Sequence, residues 1–558
     1  MSTIKTLWEH AWRSHDRIKE MVAFMTFQSD GSGGGRPPSD DSKQMKKASG
    51  KMTGPYKRQP SSDGRDFNTK QKVGLILGPL LFFIILFFFQ PAELSAEARG
   101  ILAATVWIAT WWITEAIPIP ATSLLPIIIF PLVTNLEVGE VTPNYGDGIV
   151  FLFLGGFIIA LALERWNLHR RIALFIINGV GTSTKRLMLG FMLATGFLSM
   201  WISNTATAMM MVPIGTAIIF QFSELLKDSD IENVKEEEAK FSKGLMIAIA
   251  FSASIGGLGT IIGTPPNTIL AGQLSEIFDF DLSFAQWMMF GVPLAAVLIT
   301  IAWIYLVTYA FPMKLKEIPG SRRVIQDERT ELGKMSPDEK IVMTVFTLTA
   351  VAWILRSFVL QPYVHENIDD TMIAITGALV LFLIPSVRYQ GVKLMNWDTA
   401  RNVPWGILIL FGGGLAIAGA FGDTGLDAWI GEQLTVMVGV QFLIIVLAVT
   451  ALVLFLTEIT SNTASATMLM PIMAALASAI DVHPFATMIP AAVAASCAFM
   501  LPVATPPNAV VFGSGYLRMG DMIKAGFWMN LIAIVVIVTF VMLLLPVVFG
   551  IDLTSFPG

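Results

Sequence analysis

The sequence predicts an all-α polytopic membrane protein, and three observations carry that prediction. Hydrophobic residues fill 54% of the 558 positions and charged residues only 14%, whereas ordinary soluble domains carry about 25% charged residues. The mean hydropathy is +0.65. Apolar runs of the length a bilayer core demands, about 20 residues of helix, recur from Val73 to Phe549.

Residues 1–72 stand apart as a cytoplasmic extension. Residues 4–28 mix aromatic, aliphatic and charged positions, as a short helix on a membrane surface would. Residues 29–72, rich in Gly, Ser, Pro, Asp and Lys, have too little apolar content to fold and read as disordered. The first long apolar run starts near Val73, too late for a cleavable signal peptide, and acts as a membrane anchor. Spans are expected at 73–90, 99–117, 121–134, 146–164, 245–262, 288–312, 340–360, 371–387, 402–420, 486–503 and 526–549. Two longer apolar stretches, 186–222 and 441–480, each hold about two helices' worth of residues. Each is interrupted near its middle, by Ser203-Asn204-Thr205 and by Ser461-Asn462-Thr463.

Charge decides how the long stretches run, because cytoplasmic loops are enriched in Lys and Arg. The segment before the first span holds nine basic residues between Lys43 and Lys72, which places the N-terminus inside. If both stretches are re-entrant hairpins, the later inside loops collect Arg165, Arg170 and Arg171, then the basic linker 313–339, then Arg388, Lys393 and Arg401, then Arg518 and Lys524. The outside loops then contain no Lys or Arg. A single crossing at 186–222 would put the basic linker outside, against the rule. The expected fold therefore has about 11 transmembrane helices plus two re-entrant hairpins, with N inside and C outside, multi-pass in the cell membrane (a bacterial inner membrane).

The two halves repeat one another. FLFLGGFIIA (151–160) parallels LILFGGGLAI (408–417), SNTATAMMMVPIG (203–215) parallels SNTASATMLMPIM (461–473), and GTPPNTIL (263–270) parallels ATPPNAVV (504–511). The first repeat half spans 73–312, with a hairpin at 186–222 and a broken helix at 245–276. The second spans 340–558, with a hairpin at 441–480 and a broken helix at 486–518. An acidic insert at 223–243, expected as a solvated loop, accounts for the change in offset between the halves. Equivalent breaks thus enter the membrane from opposite faces, the pattern of inverted-repeat secondary transporters.

Irregular backbone at membrane depth is tolerated where it is buried in protein or lines a cavity. Two Ser-Asn-Thr breaks and two Thr-Pro-Pro-Asn breaks therefore imply a shared polar cavity. The prolines remove amide donors and free carbonyls. Hydroxyl and amide side chains can donate to carboxylate oxygens or ligate a cation, and helix N-termini after each break would favour an anion. None of the four motifs holds Lys, Arg or His. A bound anion would need neutral donors, dipoles and a cation; oxygen ligands suit weakly held Na⁺ better than a transition metal.

Other chemistry finds little support. Cys497 is the sole cysteine, and the five histidines are scattered without metal-ligand spacing. No activated nucleophile is visible, so no enzyme is expected, and no basic patch suggests nucleic acid. GGLGTIIG (256–263) lacks the strand–turn–helix context of a nucleotide loop and reads as helix packing. Glu458, an acid inside an apolar stretch, is a functional candidate by default. Its repeat counterpart is Met200, and a structural hydrogen bond is the favoured reading. Glu115 reads as interfacial.

These motifs and their order resemble the divalent anion/sodium symporter family, which contains sodium-coupled dicarboxylate and citrate transporters. The resemblance covers roughly residues 73–550. It implies substrate contacts at Ser203, Asn204, Thr205, Thr264, Pro265, Ser461, Asn462, Thr463, Thr505 and Pro506. It implies two Na⁺ sites, one from Ser199, Ser203, Asn204 and Gly263 and one from Thr457, Thr460, Asn462 and Ala504, several acting through backbone carbonyls. It further implies a homodimer with a scaffold and a transport domain that moves like an elevator, with amphipathic connectors at 168–182 and 424–437. The expected function is Na⁺-coupled transport of a C4 dicarboxylate anion such as succinate. The rival readings are a Na⁺-independent exchanger, a citrate or sulfate transporter and, from other classes, an anion channel or intramembrane enzyme.

Overall fold

The computed structural model describes residues 67–556 apart from 92, 182, 227–233 and 314–320. The surface helix expected at 4–28 and the disordered stretch up to residue 66 lie outside the described residues. Among those described there is no named strand; the chain is helical, with one isolated bridge between Pro385 and Lys393.

The first helix, α1 (Thr69–Phe88), begins inside the stretch expected to be disordered. Asn68 and Gln71 form a reciprocal capping box that starts it, so Lys70 and Lys72 are helical. It packs on α2 (Ala96–Thr114), where Gly78 lets the Trp107 and Trp111 rings approach the α1 backbone. Two short helices, α3 (Ile119–Thr122) and α4 (Leu125–Val133), replace the expected span 121–134, since Pro126 bars α3 from running on and can stand only in the first turn of a new helix. Then come α5 (Gly148–Arg165), the connector α6 (Leu168–Val180), and α7 (Thr184–Ser199), followed by a break and α8 (Asn204–Leu226).

Helix α9 (Val234–Gly257) stops five residues short of the expected end at 262, and α10 (Pro265–Phe278) restarts at the Pro-Pro pair. The acidic insert is shorter as a loop than expected. Helices α8 and α9 extend into it, the latter through KEEEAK, where Lys240 pairs with Glu236 at 2.8 Å. Helix α11 (Phe284–Tyr305) leads to the linker, which contains α12 (Ser321–Leu332), a helix the sequence reading left out. Helices α13 (Pro337–Leu355) and α14 (Asp370–Leu383) open the second half. They are followed by α15 (Trp405–Thr424), α16 (Leu426–Leu434), α17 (Phe442–Thr457), and α18 (Asn462–Ala479) after the second break. Helix α19 (Phe485–Ala495) ends eight residues before the expected 503, leaving 496–505 non-helical until α20 (Pro506–Gly513); α21 (Met519–Leu543) completes the set.

Six helical segments among the described residues are long and apolar enough to cross a membrane, on the expected spans beginning at 73, 146, 288, 340, 402 and 526. A seventh arises if the pair Leu426–Met437 and Phe442–Thr457, bent by 118°, is one span. The other five expected spans fall on helices that are shorter, interrupted or less apolar.

Close backbone contact holds the first-half core together. A Cβ on Gly256 would lie 2.2 Å from the Gly196 carbonyl oxygen, so α7 and α9 touch where neither has a side chain. The glycine-rich run 256–263 is thus packing and unwinding, with no nucleotide-loop geometry.

Candidate functional site

All four motifs stand where a helix begins. Asn204 opens α8, Asn462 opens α18, Pro265 opens α10 and Pro506 opens α20. The first amides of a helix have no partner within it and carry its positive dipole end. Ser461 makes no side-chain cap to α18, so amides there remain available to another acceptor; after Thr264 the two prolines have no amide to offer, and α10 presents its dipole end alone.

The four starts converge on one cavity of about 400 Å³. It is lined by all ten residues expected to contact substrate: Ser203, Asn204, Thr205, Thr264, Pro265, Ser461, Asn462, Thr463, Thr505 and Pro506. Of the expected cation ligands, Ser203, Asn204, Gly263, Thr460, Asn462 and Ala504 also line it. Ser199 and Thr457 do not; both are fully buried behind the asparagines.

The unwound segments are held by matching clamps. Asn267 Nδ2 donates to the carbonyls of Gly257, Leu258 and Thr260, and Asn508 Nδ2 donates to those of Ala498 and Leu501. The third residue after Thr264 or Thr505 therefore fixes the loop that precedes it. Thr264 Oγ1 and Ser496 Oγ, 3.2 Å apart, join the two halves across the centre.

Behind the cavity wall, the Asn204 carboxamide meets three oxygens. Turned inward, its nitrogen donates to Ser199 Oγ at 2.5 Å and to the carbonyls of Ala253 and Gly263 at 3.2 Å each. The same oxygens, with the carboxamide reversed, form an all-oxygen donor set of the kind that suits a hard monovalent cation. In the second half Thr457 Oγ1 donates within 2.6 Å of Asn462 Oδ1 and 3.0 Å of the Ala495 carbonyl. Thr460 Oγ1 instead bonds the Leu456 carbonyl and Ser465 Oγ. Among the described residues no group of three or more His, Cys, Asp or Glu could hold a metal ion.

Several lining residues escaped the sequence reading. Phe153 and Phe157, in an edge-to-face pair, form an apolar wall with Ile119, Ile407, Ile459 and Val503. Lys70 and Glu115, both exposed, contribute the formal charges of the lining. Glu115 sits in the left-handed region at the end of α2, and Gln71 Nε2 donates to its carbonyl, tying α1 to that turn. The available signal for the aromatics was the repeated FLFLGG segment; for Lys70 it was the Asn68–Gln71 cap beside it.

Glu458 has a structural task. Its carboxylate accepts from the amides of Phe499, Met500 and Leu501 at 2.8–3.1 Å and from Asn530 Nδ2 at 2.7 Å. Three successive amides on one carboxylate make an anion nest. In the first half Met200 takes its place, and its side chain packs against Gly259.

A second cavity, of about 610 Å³, lies further along α10, α15 and α18, beside Glu276, Asp423, Asp427 and Glu432. Between the two, Gln273, Phe411 and Thr467 surround a void of only about 10 Å³.

Comparison with known proteins identifies the family of the chain. Residues 69–551 match the family described as the sodium:sulfate symporter transmembrane region. The sodium-dependent dicarboxylate transporter SdcS of Staphylococcus saprophyticus is 53% identical over 495 residues, covering 88% of this chain and 95% of that protein. SdcS of Staphylococcus aureus (strain MRSA252) is 50% identical over 497 residues, covering 89% and 95%. Among solved structures, Neisseria gonorrhoeae MtrF has a TM-score of 0.52 at 13% identity, covering 86% of this chain and 95% of its own. Alcanivorax borkumensis YdaH has 0.51 at 12%, covering 81% and 99%. At these identities the two structures bear on the fold alone.

Proposed function

The chain belongs to the divalent anion/sodium symporter family, matched as the sodium:sulfate symporter transmembrane region, and we propose that it carries C4 dicarboxylates of the succinate type together with Na⁺. It is a multi-pass protein of the cell membrane. The observation that carries the proposal is the convergence of four helix starts, with neutral donors, on one cavity. A dianion there meets hydroxyls, amides and dipole ends, and the one cationic side chain of the lining, Lys70, is matched by Glu115, so a co-bound cation would offset the charge. The names of the relatives, sodium-dependent dicarboxylate transporters, fit that arrangement.

In this reading the carboxylates of the substrate lie against Ser203, Asn204, Thr205, Thr264 and Pro265 from one half and Ser461, Asn462, Thr463, Thr505 and Pro506 from the other. One Na⁺ uses Ser199, Ser203, Asn204 and Gly263; a second uses Thr457, Thr460, Asn462 and Ala504. The oxygens crowding Asn204 support the first site. Alternating access proceeds by an elevator-like motion within a homodimer. The two cavities at opposite ends of α10, α15 and α18, separated by a tightly packed layer, support a site reached from one face at a time. The exposed Lys70 and Glu115 in the lining support an opening of the motif cavity toward the face where α1 begins.

The test is radiolabelled succinate uptake into proteoliposomes under an inward Na⁺ gradient, with K⁺ or choline gradients as controls. Uptake restricted to the Na⁺ arm is the expected result. Uptake that ignores Na⁺ but requires internal dicarboxylate makes the protein an exchanger. Citrate or sulfate in place of succinate would move the substrate assignment.

A further inference from the structure

The linker helix α12 lies against the connector helix α6, and between them runs a groove of about 440 Å³. Its polar wall is Arg171, Gln326, Arg329 and Thr330, and Phe175 stands at its rim. No carboxylate lines it. Arg171 is fixed in place, paired with Glu339 at 2.6 Å and donating to the carbonyls of Leu332 and Gly333. The three acids of α12 are engaged elsewhere: Asp327 faces Arg323 at 3.8 Å, while Glu328 and Glu331 both pair with Arg170. Arg329 makes no ion pair among the described residues, so the groove keeps a net positive charge.

Helix α6 turns Leu168, Ala173, Leu174 and Ile177 into the protein core. Phe175 points the other way and is 73% exposed. A large exposed aromatic ring beside two guanidinium groups presents an apolar surface and a cationic one within one groove. Guanidinium forks match phosphate oxygens in pairs. The face concerned is the one that collects the basic loops, and basic pockets on that side of a membrane favour anionic lipid headgroups.

We propose that the α6–α12 groove binds an anionic phospholipid of the adjoining leaflet, its phosphate held between Arg171 and Arg329 and an acyl chain lying along Phe175. Soluble phosphate esters share the headgroup chemistry but have no chain for Phe175 to meet. The bound lipid would tie the linker helix, which also packs on α8, to the membrane surface.

The test is native mass spectrometry of the full-length protein titrated separately with phosphatidylglycerol, phosphatidylethanolamine and glycerol 3-phosphate. Preferential retention of phosphatidylglycerol is expected. Arg329→Gln should lower that retention about five-fold, the loss that one cation near an anionic surface carries. Arg401→Gln, which removes an exposed arginine elsewhere on the same face, should leave it unchanged. Phe175→Ser should weaken phosphatidylglycerol without altering glycerol 3-phosphate. Equal retention by Arg329→Gln and the parent protein, or no preference over phosphatidylethanolamine in the parent, would overturn the proposal. Displacement of the lipid by equimolar glycerol 3-phosphate would make the groove a soluble-phosphate site and overturn it equally.

Discussion

Thr457 Oγ1 lies 2.6 Å from Asn462 Oδ1 and 3.0 Å from the Ala495 carbonyl; 258 positions earlier, Ser199 stands in the same relation to Asn204 and Ala253. With both carboxamide oxygens turned to these hydroxyls, each hydroxyl has one proton and two acceptors to serve, an excess of oxygen that a cation relieves; with the Asn204 carboxamide turned the other way, its nitrogen donates to Ser199 Oγ instead. The repeat thus places a neutral, oxygen-rich pocket behind each Ser-Asn-Thr break, next to the cavity where the anion would lie.

Thr457→Val tests the second of these pockets. Valine keeps the branched shape while deleting the oxygen, which removes a contribution of ~1 kcal/mol. The Na⁺ concentration for half-maximal uptake should rise about five-fold, with the maximal rate at saturating Na⁺ retained. A Na⁺ activation curve measured on proteoliposomes decides it; a superimposable curve would take Thr457 out of cation binding.

Gly257→Ala tests the first pocket by filling it. The added Cβ would stand 2.8 Å from Asn204 Oδ1 and 3.0 Å from the Gly263 carbonyl oxygen, closer than packed carbon tolerates. Overpacking of this kind costs about 1–3 kcal/mol, so uptake at limiting Na⁺ should fall about ten-fold. Gly520→Ala, where a Cβ meets nothing within 4 Å, is the control. Normal uptake by the Gly257 variant would show that this space is not needed.

The centre of the site was legible because a polar Ser-Asn-Thr or a Pro-Pro pair inside an apolar run demands a reason, and the demand appears twice. The ends of α9 and α19 were not legible. Residues 258–262 and 496–503 remain apolar, and what unwinds them is tertiary: the Asn267 and Asn508 clamps and the Glu458 nest. Lys70 was lost because composition outweighed the Asn68–Gln71 cap that starts α1. Helix α12 was hidden by its charge, its buried Ile325 being too small an apolar signal in a linker. Phe153 and Phe157 lie in the repeated segment 151–160, but that they reach the cavity is set only by the packing of α5.

Glu458 should matter for stability in a graded way. Oε1 accepts from Phe499, Met500 and Asn530, and Oε2 from Leu501. In Glu458→Gln the amide nitrogen replaces one acceptor and strands at least one donor, a cost of about 1–3 kcal/mol. Glu458→Met, which copies Met200 of the first half, strands all four and should cost more. Thermal unfolding in detergent should rank parent above glutamine above methionine. Equal melting temperatures for parent and methionine variant would mean that the nest contributes nothing.

His169 gives the fold an acid sensitivity whose sign is set by burial. It lies in α6, outside the spanning helices, with Nδ1 3.1 Å from the Leu163 carbonyl. Burial, opposed by the Leu163 contact and aided by the neighbouring Arg170, lowers its pKa to about 4. An unfolded histidine titrates near 6.5. Between these values the unfolded chain takes up a proton that the folded chain refuses, so stability rises with pH across that window. The contribution is complete above about pH 6.5, declines as pH falls toward 4, and is level below that. Its full size is about 3 kcal/mol, from 1.36 kcal/mol per pKa unit. His169→Gln cannot take up the proton in either state. The melting temperature of the parent should therefore fall more steeply than that of the variant between pH 7 and pH 4.5. Parallel slopes would assign the acid sensitivity to other groups.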